Sequence, residues 1–219
     1  MKICKITDSK YAHSLAAIHM QTFTGFFLTF LGKGFLRQLY KGFIQHSQSD
    51  VWGAFTQEGE LVGFLASSED LSGFYKYLLR KGFFSFAWYS FLAVLKKPKV
   101  IGRLLKAFTY AEASVRSEPY VQISSIGVLP EHANEGIGTQ LIQAMMEDVD
   151  PSRYAYIKLD TDKLHNEKAN QFYLKNGFVL GDSYATREGR LMNEYRYYLK
   201  HVPESQYSSA SGVPVTTMQ

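Results

Sequence analysis

The chain has 219 residues, of which 46% are hydrophobic, 15% aromatic and 20% charged. This composition excludes a largely disordered protein and supplies enough apolar mass for one domain with a sizeable core. A net charge of +4 is too small a bias to imply nucleic-acid binding without a localised patch, and the single cysteine, Cys4, excludes an intrachain disulfide and a cysteine metal cluster. The opening MKICKITDSKYAHS lacks the apolar run of a secretory signal, so a cytoplasmic protein is expected.

MKICKIT alternates Ile3 with polar neighbours and reads as an edge strand. Asp8 or Ser9 then caps a helix whose apolar stripe is Ala12, Leu15, Ala16, Ile18 and His19. An aromatic loop, Phe23, Phe26 and Phe27, precedes a second amphipathic helix with Phe35, Leu36, Leu39, Tyr40 and Phe43 on one face. VWGAFTQ and ELVGFLAS, joined by Glu58 and Gly59, have the pattern of a hairpin with a tight turn. Residues 71–111 form an aromatic, basic insertion in which Pro98 separates two helical halves. Its stretch GFFSFAWYSFLAVL is too short for a membrane span, which needs about 20 apolar residues. Residues 80–103 suit three roles: a lid or packing element over the sheet edge or pocket, a peripheral contact with anionic lipid, or a homodimer contact. The first is the plainest.

A strand is expected over Tyr120 to Val128, then a glycine loop, ANEGIG, and a helix from Asn134 to about Asp148. The strand YAYIKLD completes a strand, helix, strand crossover with parallel neighbours. A helix start after such a loop presents unpaired amides and a positive dipole end, a place to hold a phosphate. Amides from Glu135 to Thr139 would ring the anion, with Gly136 and Gly138 allowing close approach. Glu131 and Glu135 put negative charge beside it, which calls for His132 or Lys168 to compensate. Next, Asn166 opens a helix with Ala169, Phe172 and Tyr173 on one stripe, and Asn176 and Gly177 stop it. GFVLGDSY and RLMNEYRYYLK read as two strands around a turn at 187–189, and residues 202–219 as a Ser/Pro-rich mobile tail.

The last two of these helix-opening segments resemble the GCN5-related N-acetyltransferase (GNAT) family. Its acyl-CoA motif begins with Arg or Gln, followed by two variable residues, Gly, one variable residue, then Gly or Ala; ANEGIG meets the glycines but leads with Ala133. A second signature is met by Asn166, Ala169, Phe172, Tyr173, Gly177 and Phe178. The resemblance extends more loosely from residue 1 to about 200, leaving the insertion and the tail outside. It implies one α/β (α+β) domain over 1–201: a single mixed, mostly antiparallel sheet of six or seven strands, with a splayed parallel pair, flanked by helices.

The resemblance further implies acetyl-CoA as co-substrate, its pantetheine arm entering the splay. The residues it assigns to binding are Ile126, Gly127, Val128, Ala133, Asn134, Glu135, Gly136, Ile137, Gly138, Thr139, Asn166, Ala169, Phe172 and Tyr173. By the same likeness the Val128 backbone N–H bonds the thioester carbonyl, and the Tyr173 hydroxyl serves the departing thiolate as the catalytic group. A phenol of pKa ~10 facing a thiol of ~8.5 makes full proton transfer uphill, so a hydrogen bond with late transfer is expected. Asn166 is either a plain helix cap or a cap that also touches the pantetheine.

A general base is less evident. The histone acetyltransferase branch has Glu six residues before the strand valine, where this chain has Gln122. Glu69, Asp70, Glu112, Glu118, His165 or a water relay remain as candidates. The six histidines show no paired metal spacing, so no metal is expected, and no GxSxG nucleophile pattern occurs. The expected function is N-acetylation of a primary amine on a small molecule or amino sugar, by direct attack in a ternary complex. The alternatives are a non-catalytic acyl-CoA-binding regulatory module and an acetyltransferase for protein or peptide amines.

Overall fold

Strand β1 (Lys2–Lys5) pairs with β2 (Ser49–Phe55) and forms an edge, as its polar alternation predicts; the coordinates are a computed structural model that describes residues 1–81, 118–186 and 189–199. Among the described residues, seven strands and their flanking helices give the mixed α/β class expected. Expectations for 82–117, including Pro98, most of the basic flank and Glu112, lie outside the described residues, as do those for Arg187 and the tail. The described chain divides into two compact units, residues 1–81 with 121–149, and 118–120 with 150–199.

In the first unit β1, β2, β3 (Leu61–Ser68) and β4 (Tyr120–Val128) follow one another in antiparallel order. Gly59, at φ 86°, turns the β2–β3 hairpin, with Thr56 N donating to Glu60 O at 2.9 Å. Asp8 accepts the Lys10 N–H at 2.8 Å and caps a short 3-10 turn (Ser9–Tyr11) that leads into α1 (Ala12–Thr22). A four-residue α2 (Phe27–Phe30) separates it from α3 (Gly32–Gln45). Every residue of both predicted stripes is buried, and Leu15, Phe35, Leu36, Phe43 and Phe64 anchor one core. Residues 71–81 form α4, whose start is tied by Asp70 Oδ1 to the Gly73 N–H at 2.8 Å, and Phe74 stacks on Phe43 at 4.0 Å. Helix α5 (Ile137–Asp148) follows β4.

In the second unit β5 (Tyr156–Asp162), β7 (Leu191–Tyr198) and β6 (Val179–Ala185) lie in the order β5-β7-β6, all antiparallel. Helix α6 (Glu167–Lys175) ends where predicted: Gly177 takes φ 84°, Phe178 N donates to Tyr173 O and Gly177 N to Leu174 O, both at 3.1 Å. This is a Schellman stop, and a Cβ on Gly177 would also come within 3.2 Å of the Tyr197 ring. Gly177→Ala is therefore expected to lower stability by about 1–2 kcal/mol, measurable as a shift in urea midpoint. On β5 and β7 Lys158 and Glu194 are buried at 6% and 1% exposure, an arrangement tolerable only because the charges are paired.

Candidate functional site

Where β4 ends, Leu129 N donates to Val62 O at 2.8 Å, so Val62 and Leu129 are a hydrogen-bonded pair of the antiparallel ladder. The preceding pair, Gly63 and Val128, is then non-bonded, and the Val128 N–H turns away from β3. That is the orientation an oxyanion donor at Val128 requires. Between the pairs Ala66–Ser125 and Ser67–Ile123 the register slips by one residue, leaving Ser124 as the bulge. Gly127 sits close against the helices: a Cβ there would meet Phe23, Phe64 and Thr22 at 3.2–3.3 Å.

The loop after β4 makes a 3-10 turn at Pro130–His132, runs extended through Ala133, then places Asn134 at φ 65° and Gly136 at φ 75°. Two left-handed residues cannot continue a right-handed helix, so α5 starts at Ile137 rather than at the expected Asn134. Gly136 is its N-cap and no side chain caps it. The first amide that finds the Gly136 carbonyl is that of Gln140, at 3.1 Å, so the amides of Ile137, Gly138 and Thr139 open outward with the positive end of the helix dipole. The nearest atom to a Cβ on Gly136 is Gln140 Nε2 at 4.0 Å, so nothing obstructs an anion approaching the backbone.

These groups fit a diphosphate. Ala133 contributes only a methyl group, while His132 Nδ1 stands 3.3 Å from both oxygens of Glu135 and offsets that carboxylate when protonated. Ile126 lies just upstream on β4. Gly136→Ala is expected to cost about 1–2 kcal/mol in backbone strain and to weaken acetyl-CoA binding several-fold, read by calorimetry.

A polar chain that sequence reasoning missed crosses the face of β4. His19 Nδ1 lies 2.6 Å from the Tyr40 hydroxyl, which lies 3.2 Å from Ser125 Oγ. His19 is 3% exposed and Tyr40 1%, whereas Ser125 is half-buried. His19 Nε2 is sealed from solvent without a hydrogen-bond partner among the described residues. The available signal is a histidine on an otherwise apolar stripe, a pattern that by itself names no partner. Burial pulls the His19 imidazole down to about 4 and pushes the Tyr40 phenol up. A proton from an alkylammonium of pKa ~10.4 would climb about six orders of magnitude to reach such an imidazole, so His19 is no proton sink.

The same depression fixes a pH dependence. The unfolded chain protonates its imidazole near 6.5 and the folded chain near 4, so stability is lost as pH falls through that window. Lowering pH from about 7 to about 5 should cost about 2 kcal/mol in urea unfolding, and His19→Phe should flatten that slope.

In the second unit the predicted helix opening carries a correction. Asn166 makes no side-chain cap; its amide instead donates to Thr161 Oγ1 at 2.7 Å and to Asp162 O at 3.4 Å, tying the helix start to the end of β5. Its Oδ1 has no partner among the described residues and remains available to an N–H of a ligand. Asn170, which the signature reading passed over, donates to Asp162 O at 3.0 Å and accepts from Asn193 Nδ2 and the Tyr195 hydroxyl, both at 2.9 Å. Ala169 and Phe172 are half-buried. Tyr173 is 9% exposed, its ring against Phe172, Phe178 and Tyr195, and its hydroxyl has no protein hydrogen bond among the described residues.

Burial pushes the Tyr173 phenol up to about 12, which makes proton transfer to a thiolate of pKa ~8.5 uphill by roughly 5 kcal/mol. The hydroxyl is thus suited to donate a hydrogen bond rather than to give up its proton. Of the candidate bases, Asp70 is occupied as the α4 cap, and His165 occupies a left-handed loop position at φ 56°. Among the described residues no group of three or more His, Cys, Asp or Glu could hold a metal, and no helix is long and apolar enough to cross a membrane.

The family model "Acetyltransferase (GNAT) family" matches residues 15–178, three quarters of the chain. The chain belongs to that family, whose members are acyltransferases that draw the acetyl group from acetyl-CoA. No curated protein matches it in sequence. Among solved structures it is similar to a GNAT family protein from Desulfovibrio desulfuricans, at TM-score 0.61 and 13% identity over 91% of this chain and 99% of that one. An aminoglycoside 6'-N-acetyltransferase complexed with coenzyme A matches at TM-score 0.57 and 13% identity, covering 93% and 100%. A spermidine N-acetyltransferase from Vibrio cholerae matches at TM-score 0.55 and 12% identity, covering 91% and 95%. At these identities the likeness is one of fold.

Proposed function

We propose that the protein acetylates a primary amine of a small molecule or amino sugar by direct attack on the thioester, with donor and acceptor bound together. The opening of α5 carries this reading, because its three outward amides and the left-handed Gly136 form an unobstructed anion seat beside the strand that bears Val128. When bound there, acetyl-CoA supplies the activated acyl group. The amides of Gly136 to Thr139 would hold its diphosphate, and Asn166 Oδ1 would accept a pantetheine N–H. The Val128 N–H would stabilise the oxyanion and the Tyr173 hydroxyl the leaving thiolate. Neighbours in fold include enzymes named for aminoglycosides and for spermidine as well as one named for a ribosomal-protein alanine, so the acceptor class is decided by assay.

The test is release of free CoA from acetyl-CoA with glucosamine, kanamycin, spermidine and an alanine-ended peptide as acceptors. Turnover with at least one of the first three is expected. Preference for the peptide would move the acceptor class to protein amines. Tight acetyl-CoA binding without any turnover would instead support the regulatory module suggested by Ala133 and Gln122.

A further inference from the structure

We propose that Ser125 is the hydroxyl that receives the attacking amine, and that the buried His19 and Tyr40 are positioning residues that set the direction in which it faces. The inference rests on the acetyl-transfer reading above and adds the acceptor's anchor to it. Ser125 and Gly127 are two apart on β4 and therefore share a face. That face is covered by α1 and α3: Gly127 abuts Thr22 and Phe23, while Ser125 Oγ meets Tyr40. The aromatic loop begins at this point, since Phe23 packs on the His19 ring at 4.5 Å and on Phe26 at 5.7 Å. The hydroxyl thus stands three residues from the Val128 amide, at the foot of the aromatic loop that opens with Phe23 and Phe26.

The core end of the chain fixes its polarity. A neutral imidazole carries one proton, and a sealed bare lone pair at Nε2 is less costly than a sealed N–H. Nδ1–H therefore donates to the Tyr40 oxygen, Tyr40 donates to Ser125, and Ser125 keeps its own hydrogen and one lone pair for a ligand. The lone pair accepts an N–H of a neutral amine, leaving the nitrogen's own pair directed at the thioester. The hydrogen suits an oxygen next to that nitrogen, as in the vicinal amino alcohol of an amino sugar. During transfer the nitrogen pair forms the C–N bond, the C–S bond breaks with its pair on sulfur, the surplus amine proton passes to water, and the thiolate takes one up. Ser125 transfers no proton. Two aromatic hydrocarbons in place of His19 and Tyr40 would fill this core without a buried nitrogen that lacks a partner among the described residues, so a packing role does not explain the polar pair.

The experiment compares wild type, Ser125→Ala, Ser125→Thr and Tyr40→Phe with glucosamine, kanamycin and spermidine as acceptors. Ser125→Ala and Tyr40→Phe should raise KM for the amine about 3–10-fold, more for the two amino sugars than for spermidine, with KM for acetyl-CoA unchanged within about twofold. Ser125→Thr should keep the wild-type value. Ser125 is half-buried, so its variants carry the test even if Tyr40→Phe folds poorly. Wild-type amine KM in both hydroxyl-deleted proteins would overturn the proposal and leave the acetyl-transfer reading standing. Absence of CoA release from wild type with all three amines would remove that reading itself, and this inference with it.

Discussion

Glu194→Ala is expected to lower the unfolding free energy by about 3–5 kcal/mol. Glu194 is 1% exposed, and its two oxygens are taken separately, by Lys158 Nζ at 3.2 Å and by Arg196 Nε at 2.7 Å. Lys158, itself 6% exposed, also reaches Asp160 at 3.2 Å and lies over the Tyr120 ring at 5.4 Å. Deleting the shared carboxylate leaves two cations paired across β5 and β7 with Asp160 as the remaining anion among these four groups, and the buried Lys158 ammonium is the one that water reaches least. A truncated partner in a buried ion network costs the desolvation of what it abandons, well beyond the 0–1 kcal/mol of an exposed pair. Glu194→Gln should lose less, because the amide oxygen can still accept from one of the two donors. Urea unfolding of both variants at neutral pH decides the matter; a loss below about 1 kcal/mol for the alanine variant would show that the cluster tolerates a missing anion.

The stripes Ala12 to His19 and Phe35 to Phe43 were legible because helical periodicity is a local property, and so was the stop at Gly177, where only a left-handed residue completes the turn. What escaped sequence reasoning depends on partners far along the chain. Asn166 looks like a cap in sequence, yet its amide is claimed by Thr161 and Asp162 as β5 ends beside it. The start of α5 was misplaced because Asn134 is a favoured capping residue, and nothing local announces that it will adopt φ 65°. Tyr40 and Ser125 are 85 positions apart, and Lys158 and Glu194 36, so neither link leaves a periodic trace. The family signature names Tyr173 without revealing the rings that bury it, and that burial raises its phenol.

For that reason Tyr173→Phe is expected to reduce kcat by about 10–100-fold while leaving acetyl-CoA affinity unchanged. The change removes one oxygen from a side chain that is 9% exposed and held between Phe172, Phe178 and Tyr195, so the helix and its Schellman stop keep their packing. With the phenol raised to about 12 by burial, its proton stays on oxygen across the neutral range, and in the proposed role the hydroxyl would act on the leaving sulfur as a fixed donor. Two consequences separate this role from that of a general acid. First, no limb of the kcat profile between pH 6 and 9 should disappear in the variant, since no group titrating there has been removed; about the same fractional loss should hold at each pH. Second, an acyl donor whose leaving thiol is more acidic than that of CoA needs less stabilisation, so its rate should fall less in Tyr173→Phe than the rate with acetyl-CoA. Equal losses for both donors would place Tyr173 in the packing of α6 and not at the sulfur.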